Sequence, residues 1–196
     1  PIAAPALTNN TLYALTNAGG PWSKPTLFSI STSTGGFNWT YTLDVDAIRS
    51  SPAIDSDGTI YFGTKGYPTY FYALNSDGTL KWRHNVSSAT PGISGTDIYS
   101  SPTIGAAGTI YLASEAGTLY AFTSTGTILW QTQNSALPPI YGSYNWSSPV
   151  IANDGTLYVG TTYGALMAFR TDSLGLSASS PWPKFHYDNK NTGLKP

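Results

Sequence analysis

Short runs of alternating apolar and polar residues cover most of the chain, and no run of useful length has a helical period. Ile60 and Phe62 alternate with their neighbours in one run, and Phe71 and Ala73 do so in the next. A period of two is the pattern of a β-strand, because successive side chains point to opposite faces of a sheet. The pattern therefore predicts an all-β protein.

The stretch around these residues predicts four strands joined by tight turns. We expect the strands at about 51–55, 59–64, 70–75 and 79–85. Asp57-Gly58 and Asp77-Gly78 lie between apolar runs, where glycine supplies the positive φ of a hairpin turn.

The same stretch occurs four times. The second copy begins at Ser50-Ser51-Pro52 and ends at Trp82, and the third begins at Ser100-Ser101-Pro102 and ends at Trp130. Four copies in 196 residues give 49 residues each, close to the roughly 40–50 residues of a four-stranded propeller blade. We predict one domain over 1–196, a β-propeller of four-stranded antiparallel blades at about 1–43, 44–92, 93–140 and 141–196.

The two end copies depart from the pattern, as terminal repeats of an array often do. The first is degenerate, with Ala3-Ala4-Pro5 in place of Ser-Ser-Pro. The fourth loses the pattern after Phe169, and Trp182 is a candidate replacement for its missing fourth-strand tryptophan.

A tryptophan recurs once per unit, and we expect a structural role for it. Trp39, Trp82 and Trp130 each follow a glycine-initiated turn on the last strand. An indole there can pack against the neighbouring blade and bury on the order of 200 Å².

The composition of the chain excludes some classes of function. Charged residues make up 10% of the chain, the formal net charge is −1, and lysines and arginines are scattered singly. Nucleic-acid binders carry a basic stripe, so we expect no nucleic-acid partner, and no run is long enough for a membrane helix. The surface is poor in lysine and glutamate, and the chain opens on Pro1 without an initiator methionine. We therefore expect a processed product located outside the cytoplasm, at the cell surface, in the periplasm or secreted.

The repeats resemble the tryptophan-docking repeats of the pyrroloquinoline-quinone-type β-propeller family. The string from Tyr72 to Trp82, with the preceding Ser-Ser-Pro and Gly-Thr-Ile-Tyr elements, carries this resemblance, and the segment from Pro181 to Gly193 is similar to a tail found in many bacterial members. The family includes the propeller lipoprotein of the outer-membrane β-barrel assembly machine. One propeller scaffold hosts unrelated activities, so the resemblance predicts a fold more sharply than a function.

The resemblance does not bring a cofactor with it. Quinone-dependent members are expected to carry an adjacent cysteine pair and acidic calcium ligands, whereas this chain has no cysteine and Glu115 is its one glutamate. We predict no cofactor and no metal site.

Four blades leave the state of closure open, since family propellers have seven or eight. The chain is expected to begin at an inner strand and to end after an outer one. It could form a closed four-blade ring, pair with another copy into an eight-blade ring, or belong to a longer propeller. Open end sheets expose apolar faces that favour association, so we expect protein partners or self-association.

The polar residues that could serve catalysis have simpler interpretations. Asp55-Ser56-Asp57-Gly58 begins like a calcium loop but continues as a strand, which favours a hairpin. His84 and His186 lie in different units, and the Ser-Ser-Pro serines recur in a way that a nucleophile would not. We predict no catalytic residue.

Non-repeating insertions offer the best candidate binding site, because loops on a rigid scaffold often carry binding. Their aromatic side chains could stack on sugars or form hot spots of a protein interface. The candidates are Trp22, Tyr67, Tyr70, Tyr141, Tyr144 and Trp146. The leading hypothesis is a non-catalytic envelope or secreted propeller that acts as a protein-interaction and assembly module. One alternative is a carbohydrate-binding propeller that uses these loops to bind glycans. The other is a fragment of a larger quinoprotein-like or hydrolase propeller.

Overall fold

The structure is a computed structural model. It describes residues 3–17, 24–45, 47–86, 97–115, 117–133, 147–161 and 164–188, and the structural statements below concern these residues.

Fifteen strands form four antiparallel sheets, each built from consecutive strands, and the described residues contain no helix. The prediction of an all-β chain is confirmed. The first sheet is β1 (Ala6–Leu7), β2 (Thr11–Thr16), β3 (Thr26–Ser31) and β4 (Phe37–Thr42). The second is β5 (Ala53–Ile54), β6 (Ile60–Gly63), β7 (Tyr70–Leu74) and β8 (Leu80–Asn85). The third is β9 (Thr103–Ile104), β10 (Ile110–Ala113), β11 (Thr118–Phe122) and β12 (Ile128–Gln133). The fourth is β13 (Val150–Ile151), β14 (Thr156–Gly160) and β15 (Leu166–Arg170).

The four sheets share one register. The tyrosine of each second strand pairs with a small residue of the third strand, at Tyr13–Ser29, Tyr61–Ala73, Tyr111–Ala121 and Tyr158–Ala168. In the first three sheets the pairing of the third and fourth strands shifts by one residue at the following position. The sequence repeat is therefore a repeat of structure as well.

The sheets pack face to face, and the alternation of side chains assigns each residue to one of two faces. Tyr61 and Phe71 point towards the third sheet, whereas Ile60 and Phe62 point towards the first. We call the face towards the next sheet the trailing face and the other the leading face. Three apolar clusters fill the spaces between consecutive sheets, and the second and third sheets are buried on both faces.

A ladder of serines draws the first strands of the sheets together. The backbone N–H groups of Ala4, Ser51 and Ser101 donate to the hydroxyl of the corresponding serine of the next sheet, at 2.7, 2.9 and 2.9 Å. The acceptors are Ser51, Ser101 and Ser148. The sheets therefore converge at their first strands, which lie nearest the axis of the array.

The fourth sheet corrects one expectation. It has three strands, and the described residues contain no fourth strand in it. Trp182 does not take the place of the missing tryptophan: it pairs with Ile54 of the first strand of the second sheet, where Ile54 N donates to Trp182 O at 2.7 Å. After β15 the described part of the chain therefore returns to the axis instead of adding an outer strand.

The returning segment, residues 171–188, lies along the first strands of the second and third sheets. Ile104 N donates to Pro183 O at 2.8 Å, and Ser177 N donates to Ile104 O at 2.9 Å. Trp182 is buried beside Tyr187 and joins the cluster between the first two sheets. The segment supplies hydrogen-bond partners to strand edges that would otherwise face the axis.

Candidate functional site

The recurring tryptophans lie between sheets. Trp39 Nε1 donates to Ser76 O in the second sheet, and Trp82 Nε1 donates to Ser124 O in the third, both at 2.9 Å. Trp130 packs with the cluster between the third and fourth sheets, 5.9 Å from the ring of Tyr111. Each indole therefore contacts an interface between sheets rather than presenting its face to a ligand.

Two glycines make room for these indoles. Gly78 has a φ of +88° and Gly126 has the same value, so each adopts the left-handed backbone that glycine favours. A Cβ on Gly78 would lie 2.6 Å from the ring of Trp39, and one on Gly126 would lie 2.8 Å from that of Trp82. The glycine is required by both the turn and the neighbouring sheet.

The insertion between β6 and β7, residues 64–69, is held firmly by backbone groups. Lys65 N donates to Ala47 O at 2.8 Å, and Gly66 N donates to the Asp97 carboxylate at 2.9 Å. Thr69 closes the loop by donating its hydroxyl to Gly66 O and by accepting a hydrogen bond from Val86 N. A loop anchored at both ends presents its side chains at low entropic cost.

Two of the predicted binding residues lie in this loop and directly after it. Tyr67 is 57% exposed, and Tyr70 lies half-buried at the start of β7. The guanidinium of Arg83 lies over the Tyr70 ring at 4.5 Å, and its Nη1 donates to Tyr72 Oη at 3.4 Å. Tyr41 of the first sheet meets Tyr72 edge-on at 6.4 Å. We call Tyr41, Tyr67, Tyr70, Tyr72 and Arg83 the insertion surface; Tyr72 is only 1% exposed and lies beneath the other four as their support.

Sequence reasoning missed three residues of the insertion surface. Tyr72 and Arg83 are opposed across β7 and β8, and Tyr70 lies two residues before Tyr72 on the same face. That spacing was available in the sequence and could have indicated Tyr72 and Arg83. Tyr41 belongs to another sheet, and its contact depends on how the two sheets pack.

The insertion surface carries one positive charge, the guanidinium of Arg83. Burial raises the pKa of Tyr72, and the neighbouring guanidinium opposes this shift. The hydrogen bond to Tyr72 raises the pKa of Arg83, so the guanidinium stays charged. Arg83 makes no salt bridge with a described carboxylate. The surface therefore offers aromatic rings and one cation that is oriented by stacking.

A charged cluster lies beside the insertion, at the start of the third unit. Lys65 Nζ donates to Tyr99 Oη at 3.2 Å and lies 3.8 Å from the Asp97 carboxylate. The Arg49 guanidinium lies 5.5 Å from the centre of the Tyr99 ring. Burial, followed by the Asp97 carboxylate, raises the pKa of Glu115. This cluster anchors the insertion to the connection between the second and third sheets.

The other predicted binding residues, Trp22, Tyr141, Tyr144 and Trp146, lie outside the described residues. Of the six candidates, only Tyr67 and Tyr70 lie among the described residues.

The polar residues considered for catalysis have structural partners. Gly58 N donates to Asp55 O at 3.0 Å with Gly58 at a φ of +82°, which is a hairpin turn. His84 packs edge-on against Phe122 at 5.4 Å, and burial lowers its pKa. Ser100 Oγ donates to Ala113 O at 2.6 Å.

A polar cleft of about 430 Å³ opens where the turns of the second and third sheets meet the returning segment. Ser180 Oγ donates to the Asp55 carboxylate at 3.0 Å, and Tyr111 Oη donates to Asp172 at 2.8 Å. These bonds attach the segment to both sheets.

No group of three or more histidine, cysteine, aspartate or glutamate side chains that could hold a metal ion occurs in the part of the chain that the structure describes. Within the same residues, no helix has the length and apolar character to cross a membrane.

The residues do not fit a quinone cofactor of the kind that the family resemblance suggests. The sequence has no cysteine for the adjacent pair over the quinone. The axial ends of β5 and β9 are covered by Trp182 and Pro183 of the returning segment. We therefore derive no chemistry from such a group.

Solved structures share the fold. BamB from Moraxella catarrhalis matches with a TM-score of 0.65 and 20% identity, over 89% of this chain and 50% of that one. The quinohemoprotein alcohol dehydrogenase ADHIIG from Pseudomonas putida HK5 matches with a TM-score of 0.63 and 14% identity, over 93% and 35%. A protein of unknown function from Bacteroides caccae matches with a TM-score of 0.52 and 15% identity, over 84% and 59%.

These matches confirm the propeller class and show its extent. The chain spans between about a third and three fifths of the length of these three structures, so the four sheets correspond to part of a propeller. A search of curated proteins gave no match. The model of the family described as outer membrane protein assembly factor BamB matches residues 2–174. This confirms the resemblance seen in the repeats, and the chain belongs to that family.

Proposed function

We propose that the chain is a non-catalytic propeller module that acts outside the cytoplasm by binding proteins. The observation that carries the proposal is the insertion surface, where an anchored loop exposes Tyr67 and the exposed guanidinium of Arg83 lies over the ring of Tyr70. Tyrosine and arginine are the residues that most often dominate binding energy at protein interfaces. Because the loop is already held in place, little ordering entropy is lost on binding.

The family supports the location and the kind of partner. Its description names the assembly of outer membrane proteins, which supports a location in the cell envelope and a protein as the partner. The low charge of the chain fits a surface that binds through aromatic contacts rather than through a broad electrostatic field.

A carbohydrate-binding propeller is the second candidate, and the exposed ring of Tyr67 favours it because a tyrosine face can stack on a sugar. The two candidate functions can be told apart by treating a natural mixture of ligands with a reagent that destroys one class of ligand. Protease destroys a protein ligand, whereas periodate destroys the vicinal diols of a glycan.

The test is binding of the immobilised chain to an envelope extract of the organism that makes it. We expect retention that protease treatment of the extract abolishes and periodate leaves intact. The Tyr67→Ala/Arg83→Ala variant should lose at least about tenfold in affinity, which corresponds to about 1.4 kcal/mol. Leu129→Ala is the matched control, because Leu129 is 50% exposed on the third sheet, away from the surface.

Loss of retention after periodate, with protease having no effect, would favour the carbohydrate-binding alternative. Equal retention by the double variant and the wild-type chain would remove the insertion surface from the proposal.

A further inference from the structure

We propose that the polar cleft between the turns of the second and third sheets binds an alkylammonium group, that of a lysine side chain or of a free diamine. The cleft has a volume of about 430 Å³, and residues of both sheets and of the returning segment line it. It lies at the ends of the sheets opposite to the insertion, because successive turns of an antiparallel sheet alternate between its two ends. The proposal goes beyond the proposed function and uses no residue of the insertion surface.

The cleft carries negative charge that no described cation balances. Asp55 and Asp172 line it, and its other described lining residues are uncharged. Neither carboxylate forms a salt bridge with a described residue. Lys81 of the adjoining strand is already paired with Asp57 at 2.8 Å. A ligand with a positive charge would therefore supply a counter-ion to both carboxylates.

Asp55 is fixed in the wall of the cleft with one oxygen still available. The residue is only 8% exposed. Its Oδ1 accepts hydrogen bonds from Ser56 N at 2.6 Å, from Ser56 Oγ at 3.3 Å and from Ser180 Oγ at 3.0 Å. Its Oδ2 accepts none from the described residues. A carboxylate oxygen removed from water without a donor is costly, and a ligand that donates to it removes that cost.

Tyr61 contributes a second polar group without a partner. It is fully buried, and its Oη has no hydrogen-bond partner. Its ring lies 5.9 Å from that of Trp82, whose Nε1 donates to Ser124 O in the wall of the cleft. Burial raises the pKa of Tyr61 and the Asp55 carboxylate adds to this shift, so the hydroxyl lies near Asp55. The Thr59 hydroxyl weakens the shift without forming a hydrogen bond to the phenol.

The third sheet shows the same hydroxyl with a partner. Tyr111 has the register position of Tyr61, and its Oη donates to the Asp172 carboxylate at 2.8 Å. The returning segment brings Asp172 to that interface. Between the second and third sheets, no described residue takes the corresponding place beside Tyr61, and the cleft opens there. A group that enters the cleft can therefore contact Tyr61 as Asp172 contacts Tyr111.

The lining favours an ammonium over other classes of ligand. Two carboxylates repel an anion. A calcium ion takes six to eight oxygen ligands, and the described residues contain no group of three or more side chains that could hold a metal ion. Sugars commonly stack on an aromatic face, whereas none of the described lining residues is aromatic.

An alkylammonium group matches the polar and apolar parts of the cleft. Its three N–H donors suit three acceptors, namely Asp55 Oδ2, the Asp172 carboxylate and Tyr61 Oη. Hydrogen bonds between an ammonium and a carboxylate are about twice as strong as neutral ones. The methylenes beside the ammonium find apolar contacts in the lining, at Ala106, Ala107 and Leu129.

The test is a titration of the ¹⁵N-labelled chain with n-butylamine at pH 7, followed by the NMR signals of the backbone amides. We expect saturable shifts for residues 55–58 and 105–109, with a dissociation constant of about 1–10 mM because the ligand is small. n-Butanol is the matched control ligand, since it has the same chain without the charge, and it should leave these signals unchanged. Added salt should weaken the binding.

Two variants test the assigned groups. Asp55→Asn should weaken binding at least about tenfold. Asp77→Asn is the matched control and should bind as the wild-type chain does, because Asp77 lies in the other turn of the second sheet, beside the first sheet, where its carboxylate accepts from Thr79 N at 2.9 Å. Tyr61→Phe should weaken binding about three- to tenfold without lowering the midpoint of urea unfolding, because the phenol has no hydrogen bond to lose.

Two further ligands distinguish the sources of the ammonium. Tighter binding of Nα-acetyl-lysine N-methylamide than of 1,4-diaminobutane would identify a lysine side chain, and the reverse order would identify a free diamine. Equal shifts with n-butanol, no shifts at the cleft, or full affinity in Asp55→Asn would overturn the proposal. None of these results bears on the insertion surface, so the two proposals can fail separately.

Discussion

At the scale of single residues, the fold depends on pairs in which a glycine of one sheet receives an aromatic ring of its neighbour. Gly78 and Trp39 form such a pair, and Gly126 and Trp82 form the next. In each pair the glycine is needed both for its positive φ and for the space that the indole occupies. Substitution of either residue is therefore expected to affect the other.

Gly78→Ala should destabilise the chain for two reasons. The left-handed backbone costs an alanine about 1–2 kcal/mol, and the new Cβ would displace the Trp39 indole and its hydrogen bond to Ser76, which adds about 1–2 kcal/mol. Gly108→Ala is the control, because Gly108 has a φ of +78° with no described heavy atom within 4 Å. Urea unfolding measures both, and equal losses for the two variants would contradict the docking role.

An ion pair at the turn of the second sheet predicts a response to acid. Burial tends to raise the pKa of Asp57, but hydrogen bonds from Lys81 and Thr59 outweigh it and lower the pKa from 3.8 to about 2. The contribution of Asp57 to stability is therefore complete above about pH 4 and disappears as the pH falls towards 2.

Asp57→Asn should lower the free energy of unfolding at pH 7 by about 0.5–1 kcal/mol. This is less than the pKa shift alone would give, because solvent screens a carboxylate whose side chain is 51% exposed. At pH 2 the variant and the wild-type chain should be equally stable. Asp44→Asn removes the exposed pair with Lys24 and should have no measurable effect at either pH. Chemical unfolding at both values checks this, and a loss that persists at pH 2 would show that the side chain acts by another route.

At the scale of elements, the sheets could be predicted from sequence but the returning segment could not. The period of two and the Asp-Gly turns are local signals, and they located the strands of the second sheet to within about two residues. The segment has no such period, and its bond from Ser180 to Asp55 joins residues 125 positions apart. That contact is decided by packing at the axis, which explains why Trp182 was misplaced.

The burial of Trp182 predicts that the segment is structural. Trp182→Ala should cost about 3–5 kcal/mol in the free energy of unfolding, because it empties a site in the cluster between the first two sheets. It should also open the segment to proteolysis. Phe185→Ala is the control, because Phe185 is half-buried and stacks only on His186 among the described aromatic rings. Similar cleavage rates for the two variants would mean that Trp182 does not hold the segment.

In the candidate site, too, some residues could be identified from the local sequence and others only from the tertiary structure. Tyr67 and Tyr70 were predicted because their insertion interrupts a repeat. Arg83 was missed because a single cation on an outer strand gives no signal in the sequence; the register sets it opposite Tyr72, and its guanidinium lies over the ring of Tyr70. Tyr41 reaches the surface only through the contact between two sheets.

At the scale of the whole molecule, the repeat builds an array of four sheets in which each end sheet has one face without a neighbouring sheet. Each sheet is made to be covered on two faces, and the first and fourth have one face uncovered within the described residues. The sequence indicated that association would follow, since a four-sheet array in this family leaves three modes of closure. Leu7 and Leu166 are exposed at positions that are buried in the other sheets, and this exposure is expected for any array of four sheets taken alone.

Binding of the immobilised chain to an envelope extract, before and after protease treatment of the extract, tests the central claim of protein binding by the insertion surface most directly. We predict that protease treatment abolishes retention and that the Tyr67→Ala/Arg83→Ala variant binds at least about tenfold more weakly than the wild-type chain. Retention that survives protease treatment, or equal binding by the double variant and the wild-type chain, would contradict it.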